Sequence, residues 1–151
     1  MLHFLPLHSP VFVHIRDAVI AGSTGRMAMI LLIYIGPFIR LPKIDVVGLL
    51  GSLAAPSKEA AITLGGAIHF ALGVVFAIIY ALLWSVGIGS PTWYWGILFG
   101  SVHGLLVILL LLAATRKFPQ LSYHFNTLGV IVGILLNHIV FGIVVAVVYS
   151  S

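Results

Sequence analysis

The sequence predicts an all-α integral membrane protein, a four-helix bundle built from two repeated helical hairpins, with a short interfacial helix after the first span. Composition is the first reason. Of 151 residues, 62% are hydrophobic and 7% are charged, against about 45–50% apolar and about 25% charged in a soluble domain. The second is a set of four apolar stretches, each near the roughly 20 residues that cross a bilayer. The third is a stripe that occurs twice. HFALGVVFAIIYA at 69–81 and HIVFGIVVAVVYS at 138–150 share a His, a Gly four later, an Ala four after that and a Tyr three after that.

Taken in order, residues 1–16 form an apolar arm, MLHFLPLHSPVFVHIR, with three His and two Pro. A secretory signal needs a basic start and a small-residue cleavage site. The arm has neither, so we expect it to be retained, on the membrane surface or against another subunit. Ser9-Pro10 suits a helix start. The rest, 17–151, reads as one four-span domain. Its spans are expected at about 17–38, 60–84, 93–115 and 128–149. The longest loop, 40–60, contains a candidate interfacial helix over 46–53, capped by Asp45. Ser57 suits the N-cap of the second span, and Glu59 is favourable in its first turn. The third span contains Gly96, Gly100 and Gly104, small residues every four positions, which let helices pack closely in lipid.

Charge sets the expected orientation. The net charge of +4 comes from seven Lys and Arg against three acids, too sparse for a nucleic-acid surface. Arg40, Lys43, Lys58, Arg116 and Lys117 all fall in the loops after spans one and three, whereas the other side has only Arg16, beside Asp17. By the positive-inside rule those loops are cytoplasmic and both termini lie on the non-cytoplasmic side, in what we expect to be a prokaryotic inner membrane. Tyr80, Trp84, Trp93, Tyr94, Trp95 and Tyr149 then form an outer aromatic belt. The chain lacks cysteine, which excludes disulfides and thiolate metal sites.

The repeat extends beyond the stripe. Spans two and four align through it. Spans one and three align more weakly, Ala18, Gly22 and Ser23 against Gly96, Gly100 and Ser101, which puts Arg26 opposite Gly104 and Gly25 opposite His103. Two hairpins of the same orientation imply a pseudo-twofold axis along the membrane normal.

Four ionisable residues fall at one depth. His69 and His138 each lie eleven residues before a Tyr, about 16 Å along a helix. His103 lies ten residues past Trp93, about 15 Å, and Arg26 nine past Asp17, about 14 Å. In a core about 30 Å thick these are midplane positions. Asn137 adds a fifth polar side chain. Such groups must face the bundle interior and find partners. Asp17 is half a turn round the helix from Arg26, and no span core holds an acid. Arg26 must therefore meet backbone carbonyls, a polar side chain, water, or an anion from a ligand or another chain.

Two readings of the histidines stand side by side. A neutral intramembrane imidazole can act as polar glue between helices. It can also ligate haem iron or the magnesium of a chlorin. Gly73 and Gly142, one turn from His69 and His138, fit helix packing in the first reading and clearance for a flat macrocycle in the second. Haem and (bacterio)chlorophyll are the cofactors this arrangement admits. A protein metal site is not expected, because no carboxylate accompanies the three His.

The segments Ala21-Gly22 through Met27, Leu41-Pro42-Lys43-Ile44-Asp45, Phe99-Gly100-Ser101-Val102-His103-Gly104 and the two H-x3-G-x6-Y spans together resemble a family of small, uncharacterised four-span prokaryotic membrane proteins. The resemblance covers roughly residues 18–150, and Arg26 departs from its uncharged position. It implies the four-span fold and brings no activity with it.

The expected function is that of a non-catalytic, accessory membrane subunit of a larger respiratory or photosynthetic complex, in contact with the lipid bilayer and other membrane subunits and not with nucleic acid. A haem- or chlorin-binding electron-transfer or pigment protein is the first alternative. A small transporter or proton path is the second.

Overall fold

The computed structural model describes residues 13–42, 45–52, 55, 57–117 and 127–151. Among them are five α-helices. They are α1 (Ile15–Ile35), α2 (Val46–Ser52), α3 (Lys58–Ser85), α4 (Trp93–Lys117) and α5 (Leu128–Tyr149). Four helical segments, Ile15–Ile39, Glu59–Ser85, Trp93–Arg116 and Leu128–Tyr149, are long and apolar enough to cross a membrane. The protein is thus an all-α, integral membrane four-helix bundle. Ser9-Pro10 and most of the N-terminal arm lie outside the described residues.

Local chemistry accounts for the helix ends. α1 stops at Gly36-Pro37, where proline cannot continue the hydrogen-bond ladder. A 3-10 turn follows over Gly36–Ile39. Arg40 closes it in the left-handed region, at φ 65°, uncommon outside glycine. Asp45 caps α2 through its Oδ1, which accepts the Gly48 N–H at 2.8 Å. Ser57 caps α3 by accepting from the Ala60 N–H at 3.2 Å, and Thr127 caps α5. The turn between α3 and α4 uses Gly87 and Gly89 at φ 85° and 79°, where a side chain would be strained.

In lipid there is little hydrophobic drive between helices, so close packing and hydrogen bonds must hold them. The glycines make this possible. A Cβ on Gly22 of α1 would lie 2.9 Å from the Gly73 carbonyl and the Ala77 side chain of α3. Gly96 and Gly100 of α4 face the backbone of Gly142 and His138 on α5, and a Cβ on Gly104 would lie 3.0 Å from the His138 Cβ. Gly25 makes room for Phe141 and Val145. The glycine runs are thus consumed in contacts within this chain.

The helices lie in the order α3, α1, α5, α4. The repeat predicts that α3 and α4 pack as closely as α1 and α5. They do not: of these two pairs, among the described residues, α1 and α5 share an extensive interface and α3 and α4 do not. α3 and α4 meet through aromatic side chains towards the Gly87–Gly89 turn. Phe76 stacks on His103 at 3.7 Å between centroids, and Phe99 meets both Tyr80 and Trp84. Towards the other end the two helices part. α2 lies across that end. It packs on α3 through Gly51 against the Ala61 backbone and Gly65 against the Val47 carbonyl. Its Val46 and Leu49 reach the cluster of Ile108, Val130 and Ile134.

Two members of the expected aromatic belt are displaced. Tyr80 and Trp84 are buried in the core with Ala77, Phe141 and Val145. The reason is helical phase, since Tyr80 shares a face with His69 and that face looks inward. Trp93 and Tyr94 are exposed at the start of α4. Tyr149 is partly buried against Trp84, and its hydroxyl accepts the His14 N–H at 3.3 Å.

Candidate functional site: an apolar cavity with a polar wall

The gap between α3 and α4 holds a cavity of about 420 Å³. α2 floors it through Val46, Leu49 and Leu50, and Leu72, Val107 and Leu111 form apolar walls. Arg26, His69, His103, Asn137 and His138 all line it, and all five are buried. One residue or more from each of the four spans thus meets the others at this cavity, as the common depth predicts. The cavity also reaches the bundle surface. Leu72, Leu106 and Leu110 line it and are exposed, Leu110 by 61%.

The polar groups have definite partners. Arg26 Nη1 donates to His69 Nε2 at 2.6 Å and to the Met29 sulfur at 3.4 Å. Its Cζ lies 5.5 Å from the centre of the Phe141 ring. A guanidinium can only donate, so His69 Nε2 is the accepting nitrogen and its proton sits on Nδ1. His138 Nδ1 donates to the Ile134 carbonyl at 2.7 Å, which leaves Nε2 as the free lone pair. His103 Nδ1 meets the Tyr80 hydroxyl at 3.3 Å, and its ring lies edge-on to His138 at 4.6 Å between centroids.

Other buried polar atoms lack partners. Among the described residues, Arg26 Nε, Asn137 Oδ1 and Trp84 Nε1 find no hydrogen-bond partner. Arg26 Nε abuts Gly73, where an added Cβ would lie 2.6 Å away. Asn137 Nδ2 donates to the Gly133 carbonyl. The same residue lines a second, small pocket of about 10 Å³ beside Gly133 and Pro42, about the size of one water. The acids lie elsewhere. Asp17 sits beside His14 at 3.7 Å, Asp45 caps α2, and Glu59 is in the first turn of α3.

The glycines expected to flank the histidines are filled. Gly73 receives the Arg26 side chain, and Gly142 lies against the α4 backbone. The Arg26 side chain at Gly73 and the α4 backbone at Gly142 thus take the clearance beside these two glycines. Among the described residues, no group of three His, Asp or Glu is placed to hold a metal ion.

Sequence reasoning missed Tyr80 as the partner of His103, the sulfur of Met29 and the floor formed by α2. The signal for Tyr80 was present in the stripe, because a residue in phase with His69 faces the same interior. Met29 is three residues after Arg26, one turn along the same face. No family model matches the chain, and neither a curated protein nor a solved structure matches it.

Proposed function

We propose that the protein is a non-catalytic membrane subunit that holds one lipophilic molecule in the cavity between α3 and α4 and serves a larger bioenergetic membrane assembly in this capacity. The observation that carries the reading is the cavity itself. Its volume of about 420 Å³ is within the range of about 300–1,000 Å³ typical of ligand sites, and its apolar walls with a few convergent polar groups are the usual makeup of such sites. A gap on the lipid-facing side admits a ligand from the bilayer. Binding without chemistry fits the side chains, since the imidazoles are engaged with Arg26, Tyr80 and Ile134 and no carboxylate joins them. The resemblance to four-span prokaryotic membrane proteins fits the same reading, because its three motif histidines, His69, His103 and His138, all line this cavity.

Native mass spectrometry of the protein released from native membranes tests it. We expect the wild type to carry one small lipophilic adduct. Val107→Phe and Ala114→Phe, which place bulk in the cavity, should lose the adduct while remaining folded. Full adduct retention in both folded variants would remove the cavity from the account.

A further inference from the structure

We infer that the molecule held in the cavity is a single-chain amphiphile with an anionic head, a long-chain carboxylate, bound with its head at Arg26. This rests on the cavity being the functional site. Arg26 is 3% exposed, at a depth where an uncompensated arginine is costly. Its acceptors among the described residues are the neutral imidazole of His69, the Met29 sulfur and the Phe141 ring. None of them carries the opposite charge. The three acids of the chain are held at the ends of α1, α2 and α3. The other two histidines on the wall bring no anion either. A buried charge left without a counterion is strongly unfavourable, and the cavity is the open side from which a counterion can reach this guanidinium.

The cavity narrows the class further. One cation calls for one negative charge, and a carboxylate oxygen accepts a charge-assisted hydrogen bond from a guanidinium N–H. A neutral head such as a quinone carbonyl accepts a hydrogen bond but leaves the charge unbalanced. Beyond the polar wall the lining is apolar, at Leu106 and Leu110 of α4 and Leu49 of the α2 floor, so the rest of the ligand is hydrocarbon. A site of about 420 Å³ suits one small ligand, and Leu110 at the surface marks where a tail leaves for the bilayer. The site thus takes an acid head at mid-depth with its tail turned back into lipid.

The test uses the full chain in nanodiscs of zwitterionic phosphatidylcholine, with oleate and methyl oleate as competing probes and native mass spectrometry as the readout. A charge-assisted hydrogen bond predicts a preference of the wild type for oleate of about tenfold or more. In Arg26→Met the preference should vanish, with the ester bound as before, and Arg26→Lys should retain part of it. Equal uptake of the two probes by the wild type overturns the anionic head, while the loss of both in Ala114→Phe would still support the cavity as a site. Uptake of neither probe by the wild type overturns this inference, and a native-membrane protein that also lacks an adduct overturns the cavity reading with it. Should Arg26→Met not fold, the comparison of oleate with its ester on the wild type decides the question alone.

Discussion

The guanidinium of Arg26 donates to the Nε2 of His69 across 2.6 Å, which joins α1 to α3 and uses the one imidazole nitrogen that can accept. The pair carries a full positive charge and is held against Gly73, where a side chain would displace it. Replacing His69 with Leu should therefore cost more than the bond itself, because it leaves a buried charged donor unsatisfied, about 1–3 kcal/mol. Arg26→Met should cost less, and the double variant should be more stable than His69→Leu alone. Thermal unfolding of the detergent-solubilised protein across this double-mutant cycle measures the coupling. Additive effects would mean that the two side chains do not act as a pair.

The glycines divide into those that face backbone and those that face space. Gly142→Ala drives a methyl group into the Gly96 carbonyl and the Gly100 backbone, and should destabilise by about 1–3 kcal/mol, the usual cost of overpacking. Gly66→Ala meets only the Val47 side chain at 3.9 Å and removes a helix-interior glycine. It should be neutral or stabilising, by about 1 kcal/mol at most. Melting temperatures of the two variants against the wild type check both, and equal effects would count against the α4–α5 contact.

Tyr80→Phe removes the hydroxyl that reaches His103 and leaves the packing of the ring on Phe99 intact. We expect a loss of about 1 kcal/mol. An interface anchor would give a different pattern, in which the phenylalanine variant keeps its stability in detergent. The same unfolding assay separates the two.

The basic loops predict an orientation that labelling can check. The chain has no native cysteine, so single-cysteine variants report cleanly. Ile88→Cys, in the exposed α3–α4 turn, should react with an impermeant maleimide on intact cells. Ser52→Cys, at the end of α2, should react only after permeabilisation. The opposite outcome would invert the protein and place α2 outside.

Much of this fold is written in the sequence, and the reason is the bilayer. Backbone groups in lipid must be satisfied within the segment, so apolar length alone locates α1, α3, α4 and α5. The caps at Asp45 and Ser57 are local, and they stand where the residue types predict. That Arg26, His69, His103 and His138 meet at one level of the bundle is also legible, since rise per residue converts position into height. Partnership is not. Periodicity tells which face a side chain is on and is silent on which neighbour meets it, so the Arg26–His69 bond and the Tyr80–His103 contact had no reading. The separation of α3 from α4 was hidden for a related reason. A repeat predicts equivalent interfaces, and α2 is present in one hairpin loop while the described part of the other has no counterpart.

The exposed edge formed by Leu72, Leu106 and Leu110 would set the terms on which a ligand of the proposed kind fills the cavity. A molecule that enters between α3 and α4 comes sideways from the membrane and never has to cross water. Its effective concentration is then a mole fraction among lipids, and occupancy should follow the lipid-to-protein ratio while ignoring the volume of buffer. Dilution in buffer would leave such a site full, whereas added lipid or detergent would empty it.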